Sequence, residues 1–302
     1  MKPLWGIDLG GTKIEGVIIK DASDSSTICR MRVPTEKEKG YQHIIHQIGY
    51  LVEKMKKETG LVPDNIGVGT PGTTDPMSGL LKNSNTTCLN GQPFHRDLED
   101  HIGIDLKMAN DANCFAIAEY RLGVVAKEMP EAKVVFGVIM GTGVGGGLVV
   151  NGEVINGHHG IAGEWGHIFL DESGGNCYCG KVGCAERILS GPHLEAYYKQ
   201  ISGQYLSMRE IATRSEAGED EVAVQTIERM THFFGKGISY IINTIDPDAI
   251  ILGGGLGNIQ ALYTQGFEHT LPNIFNPVLN TKFLKPKLGD SAGVFGAALL
   301  TA

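Results

Sequence analysis

Apolar residues recur at helical spacing in two long stretches of the chain. Residues 43–58 and 220–245 each place apolar side chains on one stripe: Ile44, Ile48, Leu51 and Met55 in the first, and Ala223, Ile227, Met230, Phe234, Ile238 and Ile241 in the second. Because residues three or four apart share one face of an α-helix, this spacing predicts two amphipathic helices. We expect both helices to face a core and to carry no chemistry of their own.

Short apolar runs separate the predicted helices. Residues 66–69, 105–108 and 249–252 have the length and composition of buried strands. Strands that alternate with helices along a chain are typical of α/β proteins. The sequence therefore predicts an α/β fold.

A glycine pair, a threonine and a lysine follow the first apolar run, in IDLGGTKIEGVII at residues 7–19. A P-loop requires GxxxxGK[ST] and a dinucleotide-binding loop requires GxGxxG, and each leads into a helix. The spacing here fits neither motif, and residues 14–19 are mostly β-branched, which favours a strand. This segment is therefore predicted to form a strand, a tight turn and a second strand.

The same pattern returns further along the chain. A shift of 131 positions aligns GIDLGGTKIEGVIIKDA with GVIMGTGVGGGLVVNGE and matches the glycines at 6/137, 10/141 and 16/147. The second copy contains GTGVGG at 141–146, which nominally satisfies the dinucleotide motif. The Asn151-Gly152 pair after it favours a hairpin turn, so a strand rather than a helix is expected there. Two halves of the chain are predicted to begin alike.

Length and charge limit the possible functions. The 302 residues leave room for two domains, and 42% hydrophobic with 20% charged residues is ordinary for a globular protein. The formal net charge is −8, so the general attraction to phosphate backbones that nucleic-acid-binding proteins use is missing. A bound nucleotide would have to be held by a local site, and we expect no nucleic-acid partner.

The sequence shows no membrane or export signal. The N-terminus lacks the apolar core of a secretory signal. The longest uncharged stretch, residues 134–152, is interrupted by six glycines, unlike a membrane helix. We therefore expect a cytoplasmic protein with no membrane partner, in which clustered cysteines indicate a metal site more than a disulfide.

Seven motifs occur in the order found in the ROK family of repressors and sugar kinases, which this chain resembles over nearly its whole length. They are GIDLGGTK at 6–13, GTPG at 69–72, NDANC at 110–114, GTGVGGG at 141–147, GEWGH at 163–167, CYCGKVGCAE at 177–186 and LGGG at 252–255. The resemblance implies the two-domain, actin-like ATPase fold of the hexokinase superfamily, a duplicated ribonuclease-H-like fold. We expect an N-terminal α/β domain at 1–118 plus 290–302, and a C-terminal α/β domain with a zinc loop at 119–289.

The resemblance also implies an ATP site. One glycine hairpin alone would favour a simple tight turn, but two copies and a third glycine cluster favour phosphate binding, because glycine lets backbone N–H groups approach phosphates. The implied first phosphate loop is Gly10, Gly11, Thr12 and Lys13, and the second is Gly141, Thr142 and Gly143. Gly253, Gly254 and Gly255 are expected near the adenosine. Asp8 is expected near Mg²⁺, through water.

Asp111 lies where a strand is predicted to end and a helix to begin. An aspartate at such a junction is ordinarily a helix N-cap. The family resemblance favours a second role, general base toward a sugar hydroxyl, because phosphoryl transfer needs a carboxylate placed to accept that proton. The family residues that contact the sugar correspond here to Gly72, Asn85, Asn110, Glu164, His167 and Glu186. Asn85 also fits a turn residue, and Glu164 a surface charge.

Three cysteines and a histidine have the spacing of a metal site, H-x9-C-x-C-x4-C. One nitrogen and three thiolates complete a closed, tetrahedral Zn²⁺ site of the structural type. The predicted ligands are His167, Cys177, Cys179 and Cys184. Because Glu164 and Glu186 flank this loop, its folding around zinc would also fix two carboxylates beside the substrate.

Three functions compete on this evidence. The preferred hypothesis is an ATP-dependent kinase acting on the C6 hydroxyl of a hexose, fructose or mannose, because residues 81–99 look most like that branch of the family. N-acetylglucosamine kinase and glucokinase are the alternatives within the family. A sugar-responsive repressor would need a DNA-binding domain before the first strand, where no room is expected, and a dehydrogenase would need a helix after residue 146. Relatives are commonly dimers, so we expect a homodimer.

Overall fold

The computed structural model describes residues 2–302, in which the strands form two five-stranded sheets and a short two-stranded sheet. In chain order the strands are β1 Leu4–Leu9, β2 Lys13–Asp21, β3 Asp24–Pro34, β4 Asn65–Thr70, β5 Thr73–Thr74, β6 Leu81–Lys82, β7 Asp105–Asn110, β8 Val134–Met140, β9 Val144–Val150, β10 Glu153–Val154, β11 Ala249–Gly253 and β12 Lys282–Leu284. All three apolar runs predicted as strands are confirmed, as β4, β7 and β11.

The helices in chain order are α1 Tyr41–Thr59, α2 Phe94–Ile102, α3 Asp111–Arg121, α4 Val124–Glu128, α5 Glu186–Leu189, α6 Gly191–Ser202, α7 Met208–Ala217, α8 Glu221–Ile245, α9 Gln265–Thr270 and α10 Ala292–Leu299. The two predicted amphipathic helices are confirmed as α1 and α8. Helix α1 ends at Gly60 in the left-handed conformation, and α8 starts at Asp220, whose carboxylate accepts the N–H groups of Val222 and Ala223.

The two five-stranded sheets follow one plan. The first has the order β3-β2-β1-β4-β7, with antiparallel pairing from β3 to β1 and parallel pairing of β1 with β4 and β4 with β7. The second has the order β10-β9-β8-β11-β12, with β8, β11 and β12 parallel. The first two strands of each sheet, β1-β2 and β8-β9, are the repeated hairpins, so the duplication predicted from the glycines is confirmed.

The chain divides into two compact units. The first contains residues 2–131, Gly147–Ala162 and Pro286–Ala302, and the second contains Ala132–Gly146 and Gly163–Lys285. These units differ from the predicted domains, which placed 119–289 together. Residues 147–162 belong to the first unit because they are tied to α3: Asn113 accepts the Leu148 N–H at 3.2 Å, and Arg121 donates to the Gly152 carbonyl at 2.9 Å.

The core of the first unit is built around the α1 stripe. Ile44, Ile48, Leu51 and Met55 are fully buried and belong to one cluster with the strand residue Ile7. Within residues 2–302, no helix is long and apolar enough to cross a membrane.

Candidate active site

The first glycine turn joins β1 to β2 and is anchored by its carbonyl groups. Gly10 donates its N–H to the Lys13 carbonyl at 2.9 Å, and the side chain and N–H of Thr35 bind the carbonyls of Gly10 and Thr12 at 2.7 and 3.0 Å. A Cβ atom at Gly11 would meet no atom within 4 Å, so the turn is open on that side. Lys13 pairs with the buried Glu15 at 3.6 Å. This arrangement is suited to presenting backbone N–H groups to a phosphate.

Two carboxylates approach each other in the first unit. Asp8 lies near the end of β1, and a Cβ at Gly293 would be 3.1 Å from its Oδ2 atom. Burial and the negative charge of Asp111 raise the pKa of Asp8 to about 6. Two poorly hydrated carboxylates this close favour a cation between or beside them, and oxygen ligands are those Mg²⁺ prefers.

Asp111 is the first residue of α3, but it is not the N-cap. The preceding residue, Asn110, caps the helix, because its side-chain oxygen accepts the Asn113 N–H at 2.8 Å. The Asp111 carboxylate accepts the Ala112 N–H at 2.8 Å. Solvent reaches this side chain, yet the protein atoms around it desolvate the carboxylate, and this desolvation raises its pKa. A carboxylate with a raised pKa and no capping duty is suited to accept a proton.

The other two predicted sugar contacts of the first unit lie on the connection from β4 to β7. Gly72 has φ +81°, and a Cβ there would lie 2.4 Å from the Lys82 carbonyl, so only glycine fits this close approach. Asn85 is exposed. The structure thus places Gly72 in a packed turn and leaves the Asn85 side chain accessible.

In the second unit, the second glycine turn is tied to Glu186. The Gly141 N–H donates to the Gly143 carbonyl at 2.9 Å, as Gly10 does in the first turn, and Gly191 donates to the Gly141 carbonyl at 2.8 Å. Glu186, the first residue of α5, accepts the Val144 N–H at 3.0 Å. Thr142 lies at the apex of this turn. The strand β9 that follows rules out a dinucleotide-binding loop here, because that loop needs a helix.

The third glycine cluster follows β11. Gly254 has φ +76°, and a Cβ there would be 2.2 Å from the Met140 carbonyl, so this turn packs against the end of β8. A Cβ at Gly255 would meet nothing within 4 Å, and Gly253 ends the strand. The cluster therefore brings exposed backbone beside the turn that contains Gly141.

Glu164 and His167 flank a short 3-10 helix, Trp165–His167, which is fixed against β9. Trp165 donates its indole N–H to the Gly145 carbonyl at 2.8 Å, and a Cβ at Gly166 would lie 2.0 Å from the Val144 carbonyl. Glu164 and His167 are both half-buried. The predicted sugar contacts of this unit, Glu164, His167 and Glu186, therefore all attach to β9 or to residues beside it.

His167, Cys177, Cys179 and Cys184 are brought together, with one ligand atom from each within 4.8 Å of the others. His167 Nδ1 is 3.7 Å from Cys177 Sγ, and the Sγ atoms of Cys179 and Cys184 are 3.5 Å apart. Ligands at about 2.3 Å in tetrahedral Zn²⁺ sites are about 3.8 Å from one another, so these spacings fit zinc. Burial and the neighbouring cysteines raise the pKa of Cys184 to about 12, so three thiolates need a cation beside them.

Tyr178 is a residue that the sequence analysis missed. Its hydroxyl lies 2.9 Å from His167 Nε2, and its ring packs edge-on against the imidazole at 5.2 Å between centroids. Its position between two predicted zinc ligands was the available signal, but an exposed tyrosine in a loop has no pattern that assigns it a role. Nδ1 of His167 faces the cysteines, so Nε2 faces Tyr178 and the solvent.

The raised pKa of Asp8 gives a test of stability against pH. The folded pKa, about 6, exceeds the ordinary 3.8, so the fold favours the neutral acid. Its stabilising contribution is complete below 3.8 and is lost as pH rises through about 6. In Mg²⁺-free buffer at pH 8, Asp8→Asn should therefore raise the free energy of unfolding, by at most about 3 kcal/mol. Urea unfolding at pH 8 and pH 5 checks this, because the advantage of the variant should shrink at pH 5. A variant that is less stable than wild type at pH 8 would contradict it.

The fold and these two sets of residues define an ATP-dependent sugar kinase with the actin-like ATPase fold of the hexokinase superfamily. The chain belongs to the ROK family, whose model, described as "ROK family", matches residues 4–302. N-acetyl-D-glucosamine kinases from Aliivibrio salmonicida and Pasteurella multocida are 34% and 35% identical to it, over 98% of this chain and 98% of each relative.

Solved structures agree with this assignment. A ROK hexokinase from Thermus thermophilus superposes with a TM-score of 0.86 at 30% identity, covering 99% of this chain and 97% of that chain. A ROK family glucokinase from Streptomyces griseus, in complex with glucose and AMPPNP, gives a TM-score of 0.78 at 25% identity and covers 98% of both chains. The predicted family, fold class and kinase activity are confirmed.

Proposed function

We propose that this kinase transfers the γ-phosphate of ATP to the C6 hydroxyl of a hexose, with Asp111 as the general base. The accessible, desolvated carboxylate of Asp111 is the observation that carries this role, because Asn110 has taken over the capping duty. A sugar hydroxyl is a poor nucleophile until a positioned carboxylate accepts its proton.

Sugar binding is assigned to hydrogen-bonding groups in both units. In the first unit these are Gly72, Asn85 and Asn110, and the oxygen of Asn110 caps α3, so its amide nitrogen is the group left to donate. In the second unit they are Glu164, His167 and Glu186. His167 would present Nε2 to the sugar, since Nδ1 faces the cysteines.

Phosphate binding is assigned to the two glycine turns, Gly10 to Lys13 and Gly141 to Gly143, and adenosine binding to Gly253, Gly254 and Gly255. The matching hydrogen bonds across the two turns, Gly10 to Lys13 and Gly141 to Gly143, support this assignment. Bound Mg²⁺ would neutralise charge on the phosphates. Asp8 would orient it through water, next to Asp111.

We assign the four-residue cluster to a structural zinc ion. The donor set and spacing of His167 and the three cysteines support a closed site with no open position. Zinc would fix the loop from which Glu186 begins α5. We also propose a homodimer and no nucleic-acid partner, following the sequence analysis.

The sugar is the finest part of the proposal. N-acetyl-D-glucosamine is the proposed substrate, because full-length relatives at 34–35% identity carry that name. This replaces the sequence-based preference for fructose or mannose with the stated alternative. Fructose and mannose remain a second candidate because residues 81–99, which include the exposed Asn85, resemble that branch.

A coupled ADP-release assay over hexoses and N-acetylhexosamines tests the assignment. We expect kcat/KM for N-acetylglucosamine to exceed that for fructose, mannose and glucose. A pocket that hydrogen-bonds the acetamido group can reject sugars without it strongly, whereas mere roominess discriminates by about 10–200-fold. Higher kcat/KM for fructose or mannose would favour the second candidate, and no turnover of any hexose would contradict the kinase proposal.

A further inference from the structure

A buried carboxylate that the proposed chemistry does not use lies near the end of α3. Glu119 is fully buried, and its hydrogen-bond donors are backbone N–H groups. Val124 donates to Oε2 at 2.9 Å, Lys287 donates to both oxygens at 3.0 Å, and Leu288 donates to Oε1 at 2.8 Å. Hydrogen bonds to a charged acceptor are about twice as strong as neutral ones, so this contact is a firm attachment.

The attachment holds the segment that leads into α10. The Ser291 N–H binds the Leu288 carbonyl at 3.3 Å, and α10 begins at the next residue, Ala292. The second residue of this helix is Gly293, whose added Cβ would lie 3.1 Å from Asp8 Oδ2. Glu119 therefore fixes the chain five residues before the backbone that lies against the Asp8 carboxylate.

Glu119 and Asp111 share one helix, and α10 is seated directly on it. A Cβ at Gly296 would lie 1.7 Å from the Cys114 carbonyl, so the two helices touch backbone to backbone. Such a contact depends on the position of α10 to within a few tenths of an ångström, because close-packed interiors leave no slack. Loosening residues 287 and 288 would let α10 shift away from Asp8 and from the helix that begins at Asp111.

We propose that Glu119 is a positioning residue for phosphoryl transfer, which by holding the backbone of Lys287 and Leu288 keeps α10 seated between α3 and Asp8. The inference rests on the roles proposed above for Asp8 and Asp111. Glu119 itself touches neither carboxylate and takes no part in proton transfer.

Glu119→Gln tests this, because a glutamine must turn one N–H₂ group toward backbone donors where the carboxylate accepted. We expect kcat to fall about 10-fold or more and the Mg²⁺ concentration for half-maximal rate to rise, as when outer-shell partners of a metal site are lost. The KM for the sugar should change less than about threefold, since no sugar contact moves. Hydrogen exchange of residues 286–293 should become faster.

Glu128→Gln is the matched control. Glu128 pairs with the side chain of the same Lys287, at 2.6 Å on the surface, so it tests the side-chain ion pair without touching the backbone contact. This variant should keep wild-type kcat and exchange. Glu119→Asp, which keeps the charge but shortens the reach, should fall between Glu119→Gln and wild type.

A Glu119→Gln enzyme with a lowered melting temperature but wild-type kcat and Mg²⁺ dependence below it would show a purely structural role and overturn the proposal. Unchanged exchange at 286–293 would overturn it as well. Should Glu119→Gln fail to fold, Glu119→Asp carries the same readouts. Exchange and Mn²⁺ binding, followed by electron paramagnetic resonance, need no substrate, so they remain decisive even if wild type phosphorylates no hexose and the kinase proposal fails.

Discussion

Asp111→Asn is expected to lower kcat by about 10²–10⁴-fold, the usual contribution of a general base. Asparagine keeps the side-chain oxygen that accepts the Ala112 N–H and leaves the Asn110 cap untouched, so the fold of this junction should survive. Only the ability to accept a proton is lost. Sugar affinity should therefore change by no more than a few-fold.

Steady-state kinetics beside calorimetric titration of the sugar measure the two effects separately. Asp105→Asn is the matched control, since Asp105 is an exposed aspartate at the start of β7, the strand that leads to Asn110. It should keep wild-type kcat. Retention of more than about a tenth of wild-type kcat by Asp111→Asn would remove Asp111 from the role of general base.

The raised pKa of Asp111 is part of the same argument. A carboxylate at its ordinary pKa is a weak base at neutral pH, and desolvation makes it a stronger one. Asp8 contributes to this environment, because the two carboxylates of the first unit interact. Binding of a cation beside Asp8 would lower the pKa of both groups, which links metal binding to the ionisation of the base.

The fold was largely predictable because its signals are local. The stripe of Ile44, Ile48, Leu51 and Met55 needs only helical periodicity, and the Asn151-Gly152 turn needs only two residues that accept positive φ, here 51° and 81°. The repeated glycine hairpins could be aligned because both turns require the same close backbone contacts. These features do not depend on distant parts of the chain.

The features that sequence could not supply depend on contacts between distant residues. The capping residue at the start of α3 is Asn110 rather than Asp111, which two adjacent capping residues leave ambiguous in sequence. The division of β9 between the two units follows from Asn113 binding Leu148, 35 residues away. Glu119 binds backbone 168 positions further along the chain, and no pattern around it in sequence indicates this.

Zinc loss is expected to have the second large effect, through the loop rather than through the chemistry. Untreated protein should contain one zinc per chain by elemental analysis. Cys179→Ser should lose that zinc and bind the sugar about 10–100-fold more weakly, because Glu186 and His167 are fixed by the same loop. Cys179 is the exposed member of the cluster, so serine removes a ligand with little loss of packing.

The structure shows how the loop would transmit the loss. Cys177 donates its N–H to the Lys181 carbonyl at 2.8 Å, and Cys184 stands two residues before Glu186, whose carboxylate holds the Val144 N–H at 3.0 Å. Without a cation, three cysteines with this spacing stay largely protonated and no longer hold one another. Structural zinc sites couple metal binding to folding by about 10–16 kcal/mol in small peptides, so residues 164–186 should loosen.

Cys88→Ser is the control, because Cys88 is a half-buried cysteine of the first unit outside the cluster. It should keep the zinc content and the sugar affinity of wild type. Limited proteolysis should cut the 164–186 loop of Cys179→Ser faster than that of Cys88→Ser. A zinc-free preparation with full activity, or a Cys179→Ser enzyme with normal sugar affinity, would show that the loop holds Glu186 and His167 in place without a metal, through its backbone hydrogen bonds alone.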